Sequence, residues 1–403
     1  MPAVSRPFED PAAVAAKLLN RLGLAILVIA SPCIGVFSAQ ALYALMPIGA
    51  MLILIAAVLR GDARPVRFLQ AFISPIGALV LGLICWALLS LIWTLTPEPA
   101  GERFLKTVGA GLLATLAASF LPEKTKTSNL NLIPIGLFVT LFAMLGLIVT
   151  RGPDGTGDPE TPLLQRSIIT MVLLIWPALG VLSLRERWLT AGGLATLVAL
   201  TAIASWARIP LLAVAIGSLT FTFAMSRPIL AGGCASIVFA LLFAAAPALV
   251  FLARGFVRLT GWGQDLAQPL VIWADLMSSD GLRVITGHGV VMAARGVVMG
   301  YLPADVSTSL MFELWYDLGL VGAWTFAALT WLAFRAAAQT PPSVAPALLA
   351  GLVSGLTIAV FGLATEQIWW VTLVGVDAIA FASLVKGAQR SKRLRAQAMI
   401  DEN

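Results

Sequence analysis

The chain has 403 residues, 59% of them hydrophobic and only 11% charged. Its mean hydropathy is +0.94, which leaves too little polar surface to coat a soluble globule of that length. The apolar residues come in continuous runs of about 18–22, which excludes a barrel built on two-residue alternation, and the net charge of +6 matches an orientation bias on cytoplasmic loops and gives no argument for nucleic acid as a partner.

Residues 1–21 mix acids with bases and lack a small-residue cleavage pattern, so they read as a cytoplasmic tail and not as a signal peptide. At about 20 residues per span, twelve transmembrane helices are predicted. They lie near 22–39, 42–59, 76–94, 103–121, 130–150, 166–184, 188–205, 208–226, 228–252, 310–336, 344–363 and 367–386. Cys33, Cys85 and Cys234 fall inside these runs, where a thiol behaves as a small hydrophobe. One histidine and no Cys/His cluster argue against a metal centre, and no cofactor is expected.

The basic connections RGDARPVR (60–67), PEKTK (122–126), RER (185–187), Ser226-Arg227 and the tail over 387–403 all fall on the side of the N-terminus. By the positive-inside rule that side is the cytoplasm, with both ends of the chain on it. The expected fold is therefore all-α and polytopic: nine helices over 22–252, one long periplasmic segment over 253–309, and three helices over 310–386.

Arginines on the outer side run against the orientation rule and need another reason to exist. Arg103, Arg166 and Arg208 stand at the first turn of a predicted helix, and Arg151, Arg254, Arg258, Arg283 and Arg295 in or beside outer connections. A cation at a helix N-terminus is opposed by the macrodipole, so a nearby anion must compensate. Arginine in place of lysine suits planar, bidentate recognition of phosphate or carboxylate. The competing reading is that these side chains snorkel to the headgroups or pair with Glu98, Glu102, Asp154, Asp158 and Glu160 in neighbouring loops.

Within the outer segment, DLAQPLVIWADLM places Leu266, Leu270, Trp273 and Met277 at helical spacing, which predicts an amphipathic helix lying in the interface, with Pro269 either near its start or kinking it. SSDGLRVITGHGVVM follows, where Gly281, Gly287 and Gly289 allow tight turns around His288. The next stretch reads as one long helix capped by Ser307 or Thr308, with Glu313, Tyr316 and Asp317 sharing a face at its outer lip. His288, Glu313 and Asp317 are the candidates for a general base. In the last span, Asp377 is a charge at membrane depth, by default a hint of function, and Trp369-Trp370 read as an interface anchor.

Taken with the topology, SWARIPLLAVAIGSL and the pair VITGHGVV and FELWYDLGLVGA resemble the O-antigen ligase and O-antigen polymerase family. The likeness covers most of the chain. The resemblance implies a GT-C-like inner-membrane enzyme of a bacterium, working at the periplasmic face without a metal. Its donor would be a glycan on undecaprenyl diphosphate and its acceptor the lipid A core or a growing glycan. Arg208 would stand at the family's functional arginine, with Arg166, Arg283, Arg295 and Arg103 as further grips on the diphosphate. The chain departs from the family pattern at Ser307, Thr308 and Ser309, where ligases place their catalytic histidine.

Two other readings stay open: a twelve-helix transporter or flippase of a polysaccharide precursor, and a non-catalytic scaffold in an export complex. Against the transporter, the connection after the sixth predicted helix is the short RERW and the long segment is late and external.

Overall fold

The structure is a computed structural model that describes residues 10–61, 65–122, 127–151, 163–205, 207–261, 264–307, 309–362 and 367–401. Among the described residues there is no strand, and each of the twelve expected segments carries a helix. Seven helices are long and apolar enough to cross a membrane, and an eighth crossing is possible if one bent pair counts as a single span. The chain is an all-α membrane protein.

In chain order the main helices are α1 (Pro11–Gly35), α2 (Ala39–Leu59), α3 (Pro65–Ile73), α4 (Pro75–Ser90), α5 (Pro97–Phe120) and α6 (Leu132–Arg151). They continue as α7 (Leu163–Leu184), α8 (Trp188–Ala204), α9 (Arg208–Ser226), α10 (Pro228–Ala244), α11 (Ala246–Thr260) and α12 (Gln264–Ser279). The last five are α13 (Arg283–Thr286), α14 (Met292–Val298), α15 (Leu310–Ala338), α16 (Ala345–Phe361) and α17 (Ile368–Asp401). The first helix begins at Pro11, earlier than expected, because the Asp10 carboxylate accepts from the Ala12 N–H and Pro11 opens the first turn.

The helices group into two units, one of residues 1–68, 111–205 and 372–403, the other of 69–110 and 206–371. In the first unit α7 is packed between α6 and α8, and its apolar surface is buried almost all round, which is why its sequence shows no polar face.

That unit also closes the C-terminal end of α5. Lys386 on α17 donates from Nζ to the carbonyls of Ala118, Ser119 and Leu121 at 2.9, 3.1 and 2.8 Å. Arg60 donates from Nη2 to the carbonyl of Phe120 at 3.1 Å. Four consecutive carbonyls that a helix end leaves without partners are thus taken by two cations, at the pole of the macrodipole that favours them. Lys386→Met keeps the alkyl stem and removes the donors, so it is expected to cost roughly 2–4 kcal/mol. A thermal unfolding curve in detergent would read this, and an unshifted midpoint would mean that water serves these carbonyls equally well.

In the second unit α15 packs along α10 and α4, and α9 along α16. Phe239 stacks on Phe334 with ring centroids 5.5 Å apart, and Ser354 donates to the carbonyl of Ala213 at 2.9 Å. The expected single span 228–252 is broken at Ala245, with α10 and α11 meeting at 72°. Pro247 is the cause, since it has no N–H to offer the carbonyl of Phe243 one turn back. Trp315 supplies the missing donor, its Nε1 lying 2.8 Å from that carbonyl, and Trp324 Nε1 lies 3.3 Å from the carbonyl of Ala244.

Candidate functional site

Everything in this site lies in the second unit. Its foundation is a break in α15, which the sequence suggested would be one straight helix. Gly319 has φ 64° and ψ −160°, and the residues on either side are helical. A helix interrupted there cannot satisfy the carbonyls of the preceding turn with its own downstream N–H groups. Three donors from elsewhere serve them. The His288 N–H donates to the carbonyl of Tyr316 at 2.8 Å, the Gly289 N–H to that of Asp317 at 2.9 Å, and Trp86 Nε1 to that of Leu318 at 2.9 Å.

The glycine loop is therefore laid into the notch of the broken helix. Gly281, Gly287 and Gly289 all have positive φ, as their flanking of His288 suggested. A side chain at Gly287 would overlap the carbonyl of Asp317, and one at Gly289 would lie 2.7 Å from Thr94 Cβ. The far side of the loop rests on the end of α4 and the turn after it. Ser90 Oγ accepts from the Val290 N–H at 3.2 Å, and Thr94 Oγ1 donates to the Val290 carbonyl at 3.2 Å.

Asp317 is buried, and its carboxylate is turned away from the lip and into this loop. Its Oδ2 accepts from the Val291 N–H at 2.7 Å and its Oδ1 from the Ala293 N–H at 2.6 Å. Val291 itself has φ 73°, an uncommon conformation for a β-branched residue, held here by that carboxylate. With both oxygens committed to backbone, Asp317 positions the loop and is no longer a candidate for the base.

His288 is held on three sides. Its ring stacks on Tyr316, centroids 4.1 Å apart and planes 11° from parallel. Nδ1 lies 3.1 Å from the carbonyl of Tyr316, which can only accept, so Nδ1 is the nitrogen that donates there. Nε2 faces Asp280 Oδ2 at 3.5 Å, and the two side chains are 22% and 24% exposed. The arrangement is a partly open imidazole of fixed orientation, with a carbonyl at one ring nitrogen and a carboxylate at the other. Glu313 stands one turn before Asp317, half-buried on the same face.

The arginines separate. Arg103 on the first turns of α5 is close enough to Asp317 for their charges to interact, and Arg295 on α14 is similarly close to Glu102. Lys106, which hydrogen-bonds Glu102 one turn away, holds that exposed carboxyl below its usual range, and Arg295 adds to the effect. Arg283 is exposed and donates to the carbonyl of Gly287 at 3.4 Å, closing its own turn. Arg208 is exposed at the first residue of α9.

Arg166 belongs to the first unit, where it is 1% exposed and donates from Nε to the carbonyl of Gly35 at 3.2 Å, the end of α1. Asp377 is also buried in the first unit. Arg254 and Arg258 meet the protein's own acid: Arg254 Nη2 is 2.8 Å and Arg258 Nη2 3.9 Å from Asp275 Oδ1. Asp154, Asp158, Glu160 and Thr308, and the side chain of Arg151, lie outside the described residues.

Three local expectations are corrected. The cap of α15 is Ser309, whose Oγ accepts from the Phe312 N–H at 3.3 Å, because Ser309 is the last extended residue before the helix. On α12, Trp273, expected on the face that meets the interface, is turned into the protein edge-on to Phe312 and is 1% exposed. Trp369 and Trp370 are likewise buried, at 4% and 6% exposure, where an interface anchor was expected.

Sequence reasoning missed Asp280, Ser90, Thr94 and Trp86. The signal for Ser90 and Thr94 was the polar Ser-x-x-x-Thr pair ending an apolar run, which does not by itself say what it holds. No protein-family model matches the chain, and no curated protein matches it.

Proposed function

We propose that the chain is a membrane glycosyltransferase of the O-antigen ligase or polymerase type, moving a glycan from undecaprenyl diphosphate to a saccharide or lipid-linked acceptor. The observation that carries this reading is the imidazole of His288, held in orientation by stack and carbonyl, with Nε2 on its partly open side facing Asp280. Rigid orientation by a neighbouring group is what a general base requires.

In this reaction the acceptor hydroxyl gives its proton to Nε2 as its oxygen bonds the anomeric carbon. The bond from that carbon to the diphosphate oxygen breaks, and the lipid diphosphate leaves as an anion. Asp280 stabilises the imidazolium so formed. Arg103, close to Asp317, and Arg295, close to Glu102, supply the positive groups for the departing diphosphate, with Arg208 and Arg283 as further contacts. The proposal places twelve crossings in a bacterial inner membrane, both chain ends in the cytoplasm and this site on the periplasmic face.

Purified protein in liposomes with a polyprenyl-diphosphate glycan tests the assignment. His288→Ala should reduce transfer at least a hundredfold and leave donor retention and the unfolding midpoint close to the parent's. Unchanged turnover would remove His288 as the base and move the assignment to Glu313.

A further inference from the structure

A second site, in the first unit, is independent of the reading above. Between α6, α7 and α8 lies a cavity of about 470 Å³ whose lining is mostly apolar. Its polar members are grouped: Asn131 just before α6, Arg187 just before α8, and Thr190 in the first turn of α8. Phe138 and Leu197 line the same space. At 1.5 Å per residue they stand about 10 and 15 Å further along their helices.

The turn that delivers Arg187 is specified with care. α7 ends with the Arg187 N–H on the carbonyl of Leu182 at 3.0 Å and the Glu186 N–H on that of Ser183 at 3.0 Å. Glu186 takes the left-handed conformation, φ 58°, at the position a glycine would normally hold. Arg187 makes no ion pair among the described residues. Burial, and then Arg187 itself, push the Arg185 guanidinium below its ordinary range. Of this turn, Arg187 is the charged side chain that lines the apolar trough.

We propose that this cavity binds an anionic phospholipid, its phosphodiester held by Arg187 with Asn131 and Thr190, and one acyl chain laid between Phe138 and Leu197. The polar end lies at helix termini, at headgroup level for helices of this kind, and the apolar end lies inward, which matches the two ends of a lipid and no soluble anion. Ordinary annular lipid would cover the apolar lining without regard to headgroup, so headgroup selectivity is the property that distinguishes a site.

The test is lipid retention by native mass spectrometry of the full-length protein, exchanged into equal amounts of dioleoyl phosphatidylglycerol and dioleoyl phosphatidylcholine. A preference for phosphatidylglycerol of about fivefold is expected from one cation at the surface. Arg187→Gln should bring the ratio to about one. Gly193→Leu, at a helical position in the cavity lining where an added Cβ meets no atom within 4 Å, should fill the trough and lower retention of both lipids. Equal retention by the parent protein, or selectivity surviving in Arg187→Gln, overturns the proposal. So does displacement of the lipid by inorganic phosphate, which would make this a site for a soluble anion.

Discussion

Asp317→Ala is expected to abolish activity and to lower stability by roughly 2–6 kcal/mol, since each backbone donor left without its acceptor costs about 1–3 kcal/mol. The two donors are the N–H groups of Val291 and Ala293, at 2.7 and 2.6 Å. Released from the carboxylate, Val291 has no reason to keep its left-handed backbone, and the loop that carries His288 loses one of its anchors on α15. Asp317→Asn separates charge from geometry. An amide offers one oxygen to two donors and sets its own NH₂ against the other, so an intermediate loss is expected. Thermal unfolding in detergent and the rate of glycan transfer read the two effects. Parent-like values for Asp317→Ala would mean that the loop is held without it.

The other large effect is at the glycines of the notch. Gly287→Ala places a methyl group into the Asp317 carbonyl and forces an L-residue to φ 75°. Gly319→Ala does the same against the Ile285 carbonyl at φ 64°. Backbone atoms cannot rotate away as a side chain can, so the loop and the broken helix must part. The expected cost is roughly 3 kcal/mol or more, from steric overlap added to the unfavourable φ. Gly300→Ala is the control, because φ is 77° there but nothing lies within 4 Å. It should lose only the conformational part, about 1–2 kcal/mol. Equal losses at Gly287 and Gly300 would show that the close approach to Asp317 contributes nothing.

The helices were legible because a run of apolar residues admits one solution in a bilayer: every backbone group must be satisfied within the segment. The breaks were less legible. Pro247 lies at the bend at Ala245 but was passed over in a span read as unbroken, because a proline near a helix end is also tolerated and hydropathy does not register the difference. Gly319 sits in DLGLVGAW, whose apolar residues keep helical spacing straight through the break. What opens the helix there is a loop from some 30 residues earlier that supplies the replacement donors, a tertiary cause with no local trace.

The candidate site divides in the same way. Glycines flanking His288 pointed to a constrained imidazole, and all three have the backbone that only glycine adopts freely. The roles of the acids were not readable: the spacing of Glu313, Tyr316 and Asp317 gives a shared face but not the direction in which a carboxylate turns. Residue type alone also could not separate Arg166, buried against the end of α1, from Arg208, exposed at the start of α9. Both are arginines in the first turn of a helix.

The central claim is that the imidazole held on Tyr316 performs glycan transfer. Its most direct test is the surface glycan of cells lacking the protein, complemented with the parent or with His288→Ala at equal membrane abundance. Restoration of full-length glycan by the parent and its loss with His288→Ala, with unpolymerised units or unjoined polymer left on the lipid carrier, is the expected result. Full restoration by His288→Ala, or precursor trapped on the cytoplasmic side when the protein is absent, would contradict it.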